Sequence, residues 1–236
     1  MGMKKGIRME LNGAEPAKIY LSGDVVSDMN GEWEKFFGIE NGYITPADVI
    51  DELEQIPNGT DIEVHINSNG GDVQAGLAIA NLLEHYRKGK VVTFVDGWAA
   101  SIASIIALAG SKCVMPANTY LMIHYPSCVV AGNINDLRKG MEDLEKITDG
   151  MIDEYTRKSI TTREKIVEML EKETWLTAEE CAVIFGNVEV AESTELKAVA
   201  KIGNFKSVPA GIKTMIEADG EAERKIEESI LNSIIA

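Results

Sequence analysis

The sequence is poor in cysteine, in aromatic residues and in positive charge, and it has no long apolar run. Its three cysteines, Cys113, Cys128 and Cys181, are odd in number, far apart and form no CxxC pair. That gives neither a disulfide framework nor a zinc site any support. Cys113 and Cys181 lie in apolar surroundings and read as core residues. Lys and Arg number 23 against 38 Asp and Glu, for a formal net charge of -15. Nucleic acid and anionic membrane surfaces are therefore not expected as partners. No stretch of about 18 apolar residues occurs, so no transmembrane span is expected. The first residues lack an apolar signal segment, and the expected location is the cytoplasm. The lysine and hydroxyl of a GxxxxGKS/T phosphate loop are missing beside Gly70-Gly71. No metal or cofactor is expected, and the methionines read as packing.

What is present alternates between strand and helix, the α/β signature. A chain of 236 residues can bury a full core, and one main domain is expected. Residues 1–16 read as a loose lead-in, 17–190 as the main domain and 191–236 as an appendage. Between 24 and 44 no period is clear, and Trp33, Phe36, Phe37 and Ile39 crowd together as cover for the core or for a subunit contact. Thr45-Pro46-Ala47-Asp48 opens a helix: threonine caps, proline fits the first turn, and aspartate complements the helix dipole. Asp61–Asn67 alternates as a strand. Asn67 to Asp72 then reads as a turn before a helix over Val73–Tyr86. Its paired glycines permit positive φ and close approach of backbone N–H groups to a developing negative charge.

Two of the three histidines have ordinary settings. His65 alternates with Val64 and Ile66 on a strand, and His85 lies near a helix end, where cationic character is tolerated. A helix over Ile134–Lys158, about 37 Å long, carries an apolar stripe of Ile134, Leu137, Met141, Leu144, Met151 and Tyr155. It is long enough to project and pair with another subunit. Thr161 with Glu164 and Thr177 with Glu180 read as capping boxes of two shorter helices, and Val188–Val190 as a last strand.

The stretch from Val91 to Pro126 organises the rest. Val91–Val95 reads as a buried strand, Asp96-Gly97 as the sharp turn that ends it, and Ala99–Ala109 as a small-residue helix stopped by Gly110. Ser101 falls in the first turn of that helix, on a rigid element near N–H groups with no partner inside the helix. His124 ends the apolar run Tyr120–Ile123 and is followed by a proline-containing loop. A serine at a helix start and a histidine at a strand end suit a nucleophile and its base.

The segments IYLSG at 19–23, HINSNGGDVQAG at 65–76, DGWAASIAS at 96–104, MPANTYLMIHYP at 115–126 and ETWLTAEE at 173–180 carry a resemblance. In their order and near spacing they resemble the Clp protease proteolytic subunit family over about residues 17–190, particularly its phage- and prophage-encoded head-maturation branch. The resemblance implies an α/β fold of the ClpP/crotonase type, a spiral of ββα units with a projecting long helix. It also implies a serine endopeptidase acting on polypeptides without a cofactor, self-associated into rings of seven that can stack in pairs. On this resemblance the nucleophile falls on Ser101, the general base on His124, and the oxyanion-hole amides on Gly71 and Ile102.

The third triad position departs from the bacterial members. Their aspartate falls on Met169, which cannot orient an imidazole. Glu173, within the ETW motif of the phage-like branch, is favoured as the replacement, with Glu171 as the alternative. The added residues 24–44 and the tail leave docking to a partner unfoldase open. The branch implies processing of phage scaffold or capsid proteins, in the host cytoplasm or the assembling head. Two other classes compete. A crotonase-class acyl-CoA thioester enzyme would share the pair of backbone amides but leaves Ser101 and His124 without a joint role. An inactive assembly protein of the same fold would account for Met169. A serine–lysine mechanism ranks below serine–histidine, because no lysine stands in these motifs as an evident base.

Overall fold

A computed structural model describes residues 6–11, 13, 16–31 and 42–191. The chain divides into units at 1–198 and 199–236, and every described residue belongs to the first. The crowded aromatics at 33–39 and the expected appendage beyond Ala191 lie outside the described residues.

The fold is mixed α/β. Its strands are β1 (Ile7–Glu10), β2 (Ala17–Val25), β3 (Tyr43–Ile44), β4 (Ile62–Gly71), β5 (Val91–Ala100), β6 (Lys112–Pro116), β7 (Tyr120–Ile123), β8 (Thr174–Thr177) and β9 (Val188–Ala191). The helices between and after them are α1 (Pro46–Gln55), α2 (Val73–Glu84), α3 (Ile102–Leu108), α4 (Ile134–Lys158), α5 (Arg163–Glu171) and α6 (Ala178–Ile184). The strands form one sheet in the order β1-β2-β4-β5-β6-β9, with β3 beside β2 and β7 between β5 and β8. The central pairs are parallel, whereas β1 with β2 and β7 with β8 are antiparallel. Parallel neighbours require crossovers, and α2 and α3 supply those flanking β5.

Period-two alternation decides which face is buried. Ile19 and Leu21 of β2 and Ile62, Val64 and Ile66 of β4 lie in the core. On the other face His65 stacks between Tyr20 and Phe94, with ring centroids 4.8 Å apart on each side, and its Nδ1 lies 2.9 Å from Asp96 Oδ1. Helix α3 is buried at all seven positions, which its small and branched apolar residues permit. At roughly 1.5–3 kcal/mol for each fully buried large side chain, Ile102, Ile105, Ile106 and Leu108 make it a strong anchor.

Helix α4 divides along its length. Met151, Ile152 and Tyr155 are buried, while Ile134, Leu137 and Met141, on the same stripe, are 45–61% exposed. Its N-cap is a full capping box between Asn133 and Asp136. No helix among the described residues is long and apolar enough to cross a membrane.

Several expectations require correction. The lead-in is not loose throughout: Ile7–Glu10 pairs with β2, where Ile7 opposite Leu21 gives the strand one buried anchor. Asp96-Gly97 does not end a strand. β5 runs on to Ala100 because Trp98, Ala99 and Ala100 pair with Tyr120, Leu121 and Met122 of β7. The Asp-Gly pair instead lies where the β4–β5 register shifts: Ile66 pairs with Val95 but Ser68 with Ala99, so β5 carries the extra residues of a bulge. Likewise Gly70-Gly71 closes β4, not a separate turn, and Asp72 caps α2 through Ala75 N at 2.8 Å. Helix α5 is capped by Thr162, one residue later than expected, with its hydroxyl accepting from Lys165 N. The capping box at Thr177 and Glu180 forms as expected.

Candidate active site

Ser101 stands at the elbow between β5 and α3, with φ 54° and ψ −131°. This is a costly conformation for a residue with a Cβ, on the order of 1–3 kcal/mol, and it persists only where the surroundings impose it. They do so from several sides. Ser101 N–H donates to Met122 O at 2.8 Å, which extends the β5–β7 pairing to the serine. The Ser101 carbonyl accepts from Ser104 N at 3.0 Å and from Ser104 Oγ at 2.6 Å. The wholly buried Tyr155 of α4 places its hydroxyl 2.7 Å from Ser104 Oγ and 3.4 Å from the Ser101 carbonyl. Burial pushes the Tyr155 phenol well above its ordinary pKa, so it stays protonated and able to donate.

Gly70 fits against the same elbow. A Cβ on Gly70 would lie 2.6 Å from Ala100 O and 2.7 Å from Ser101 Cβ, and 3.1 Å from Ile102 N. Only glycine allows this approach, and its φ of 92° makes the same demand. The next residue, Gly71, is exposed at φ 144° with its Cα packed toward Val25 O. The Gly-Gly end of β4 thus lies beside the first N–H of α3, that of Ile102.

His124 follows the last residue of β7. Its Nε2 lies 2.7 Å from Ser101 Oγ, hydrogen-bond distance. Because β7 is hydrogen-bonded to β5, the histidine reaches the end of the strand that delivers the serine. If Nε2 accepts the serine proton, the imidazole carries its own proton on Nδ1. That nitrogen faces Glu173 Oε2 at 3.7 Å, within ion-pair range and longer than a hydrogen bond.

Glu173 occupies an unusual position. Helix α5 ends at Glu171, Lys172 caps it, and Glu173 takes the left-handed conformation, φ 51°, with its N–H on Leu170 O at 3.3 Å. This is where a helix ordinarily places glycine. The local strain turns the chain into β8, which pairs with β7 so that Thr174 opposes Ile123, the residue before His124. The edge-to-face pair Trp98–Trp175, at 6.0 Å, ties β8 to the strand leading into Ser101. Trp98 Nε1–H in turn donates to Asn69 Oδ1 at 3.0 Å.

The structure thus brings together Ser101, His124, Glu173, Gly70 and the backbone of Ile102, while Gly71, next to Gly70, packs toward Val25. It does not bring in Glu171, which is exposed at the end of α5. Met169 is buried in the core, 5% exposed, and its carbonyl accepts from Thr174 Oγ1 at 2.7 Å. His85 caps α2, its Nδ1 2.8 Å from Asn81 O, and His65 is held in its aromatic stack. Sequence reasoning missed the Tyr155–Ser104 contact, because Tyr155 falls on an apolar stripe where nothing distinguishes a hydroxyl that reaches the elbow. It also missed the tryptophan pair, whose members are 77 residues apart.

Comparison with known proteins shows the family. Residues 45–190 match the Clp protease family. The chain is 33% identical over 131 residues to the ATP-dependent Clp protease proteolytic subunit of Deinococcus radiodurans, covering 55% of this chain and 63% of that protein. Against the subunit of the same name from Bacteroides fragilis it is 31% identical over 130 residues, covering 54% and 62%. Against that of Bacteroides thetaiotaomicron it is 29% identical, covering 54% and 59%. The matches therefore span less than two thirds of these relatives' lengths. The family match extends over more than half of the 236 residues and takes in every member of the constellation, and on that ground the chain belongs to the Clp protease family.

Proposed function

We propose that this chain is a serine-type endopeptidase using Ser101, His124 and Glu173. The observation that carries the reading is the 2.7 Å contact between His124 Nε2 and Ser101 Oγ at a strained, heavily buttressed elbow. His124 removes the Ser101 proton as Oγ attacks the scissile carbonyl, then returns it to the leaving amine. The N–H groups of Gly71 and Ile102 stabilise the tetrahedral oxyanion. Glu173 holds the Nδ1–H tautomer and favours the imidazolium that forms transiently. At 3.7 Å the pair needs a small adjustment, as catalytic hydrogen bonds often tighten only with substrate bound.

The test is covalent labelling. A serine-directed phosphonate should add its mass to the peptide containing Ser101, and His124→Ala should abolish the adduct. Absence of label on the assembled full chain, together with turnover of an enoyl-CoA, would instead favour the thioester class of the same superfamily. Absence of both would favour an inactive assembly protein.

The finer parts of the reading rest on sequence resemblance and on α4. The spiral of ββα units and stacked seven-membered rings belong to the proposal, and the exposed half of the α4 stripe supports assembly through Ile134, Leu137 and Met141. Light scattering should report a particle larger than a dimer, and Leu137→Glu with Met141→Glu should reduce its mass. Processing of phage scaffold or capsid proteins in a host cytoplasm or assembling head is supported by the ETW motif that carries Glu173. Coexpression with a phage scaffold protein should yield cleavage products that Ser101→Ala eliminates.

A further inference from the structure

The carbonyl of Ser101 and the N–H of Ile102 belong to one peptide unit. That unit is planar and trans, so the two groups point in opposite directions and turn together. Whatever holds the Ser101 oxygen therefore aims the Ile102 amide. As the first amide of α3, that N–H has no acceptor within the helix. Its nitrogen lies on the Gly70 side of the elbow, 3.1 Å from where a Cβ on Gly70 would stand. The Ile102 side chain is locked as well. It is wholly buried, and a Cβ on Gly76 of α2 would lie 2.2 Å from Ile102 Cγ1.

The aim of this peptide is not the one the backbone prefers. At a φ of 54° the ordinary left-handed minimum lies at ψ of about +47°, whereas Ser101 stands at ψ −131°. The two differ by about half a turn. Relaxation into that minimum would turn the peptide over and bring the Ser101 oxygen to the side the Ile102 amide now faces. A carbonyl dipole there would repel an oxyanion.

Two donors from Ser104 oppose the turn. Its N–H reaches the Ser101 oxygen at 3.0 Å and its Oγ at 2.6 Å. The Ser104 hydroxyl has one proton and gives it to that oxygen, so the Tyr155 hydroxyl, 2.7 Å away, is the donor of their contact. Burial keeps the Tyr155 phenol protonated. The tyrosine reaches the Ser101 oxygen directly only at 3.4 Å. Ser104 and Tyr155 are both 0% exposed, so no solvent replaces either hydroxyl. The hydrogen bonds run from Tyr155 O–H to Ser104 O–H to Ser101 C=O, and the peptide continues them to the Ile102 N–H. In such a chain each bond polarises the next. Packing alone would be served by Phe and Ala at these two places.

We infer that Tyr155 and Ser104 are positioning residues, whose hydrogen-bond relay holds the Ser101–Ile102 peptide in the orientation that presents the Ile102 N–H to the oxyanion. The inference rests on the peptidase reading and deepens it, naming what keeps one of the two oxyanion donors in place.

The experiment compares Tyr155→Phe, Ser104→Ala and the double variant, as full-length assembled protein, on one fluorogenic peptide. Phe keeps the ring that packs 6.4 Å from Phe185. In each single variant kcat should fall by about tenfold, part of the roughly 10²- to 10³-fold that loss of a whole oxyanion donor costs. KM should stay unchanged, as expected for an interaction made only in the transition state. Because the phenol acts through the serine hydroxyl, the double variant should match Ser104→Ala within about twofold. A peptide aldehyde, whose adduct with Ser101 places an oxygen at the oxyanion position, should lose affinity by the same factor as kcat/KM. A merely structural role would not move the two together. The phosphonate adduct on Ser101 and the Tm of each variant report that nucleophile and fold persist, and if one single variant fails to fold the other carries the test. Parent-level kcat in the folded variants, losses confined to KM, unchanged aldehyde affinity, or additive losses in the double variant each overturn the inference, while a Ser101 adduct leaves the peptidase intact. No cleavage of any peptide and no adduct in the unsubstituted chain would remove the peptidase reading and this inference with it.

Discussion

Ser101 and Glu173 are the two non-glycine residues, among those described, with left-handed backbone, at φ 54° and 51°. Both hold a positive φ that residues with a Cβ rarely adopt, in different surroundings. Around Ser101 the chain is fixed by β7 through Met122, by the wholly buried α3, by Gly70 pressed against the elbow and by the Tyr155–Ser104 pair. Around Glu173 the chain is held by its N–H on Leu170 O, by Thr174 on Met169 O and by the pairing of β8 with β7, with exposed Glu171 and Lys172 before it. Strain at the nucleophile is a fixed property of the core. Strain at the carboxylate sits where the end of α5 enters the strand beside the histidine. The distances follow this division, 2.7 Å between serine and histidine and 3.7 Å between histidine and glutamate. In the proposed mechanism the Glu173 carboxylate closes that gap when substrate is bound.

The comparison is sharpened most by removing the rigid side. Ser101→Ala should leave folding and assembly nearly intact and reduce peptide turnover by roughly 10⁴-fold or more, because nucleophile and base act as a unit. His124→Ala should be similarly severe, and the double variant little worse than either alone. Steady-state kinetics on one peptide checks all three. Normal turnover by purified Ser101→Ala would remove the nucleophile assignment.

The Glu173 carboxylate should respond less. Glu173→Gln keeps size and hydrogen bonding but removes the charge that favours imidazolium, and kcat should fall by roughly 10²- to 10⁴-fold. Glu171→Gln should be nearly silent, since that carboxylate is exposed at the end of α5. The reverse ranking in parallel assays would transfer the orienting role to Glu171. Full activity in both would leave a serine–histidine dyad or an acid from elsewhere in the chain.

The same division governs what could be read from the sequence. Ser101 and His124 were legible because their signals are local: an apolar run, small residues of a buried helix, and a histidine at the end of a second run. Capping residues were legible for the same reason, and Thr45 and Thr177 cap as expected. The Asp96-Gly97 pair was legible as an irregularity, but a bulge and a turn use the same residues, and only pairing with β7 decides between them. Strand β1 was not legible, because a four-residue edge strand with one fully buried side chain has almost no periodicity. Glu173 was reachable only through resemblance. A glycine there would have announced the left-handed residue after a helix, whereas a glutamate conceals it.

That concealment leads to the smallest expected effect. A glutamate at the left-handed position after α5 costs stability that glycine would not, since glycine adopts positive φ without a Cβ clash. Glycine gives back part of the gain through its greater freedom in the unfolded chain. The net effect of Glu173→Gly should be a gain of about 0.5–1 kcal/mol, or about 1–4 °C in Tm for a chain of this size. Turnover should nevertheless fall as far as in Glu173→Gln. The two variants separate backbone from side chain: both lose the carboxylate, but only glycine relieves the strain, so only glycine should raise Tm. Calorimetry at one fixed protein concentration makes the comparison, because assembly would otherwise shift the midpoint. If Glu173→Gly melts below the parent chain, the carboxylate contributes more to holding β7 and β8 than its backbone costs, and the residue is structural first. If it melts higher and loses activity, a strained glutamate stands where folding alone would place glycine, and the reason for it is the imidazole 3.7 Å away.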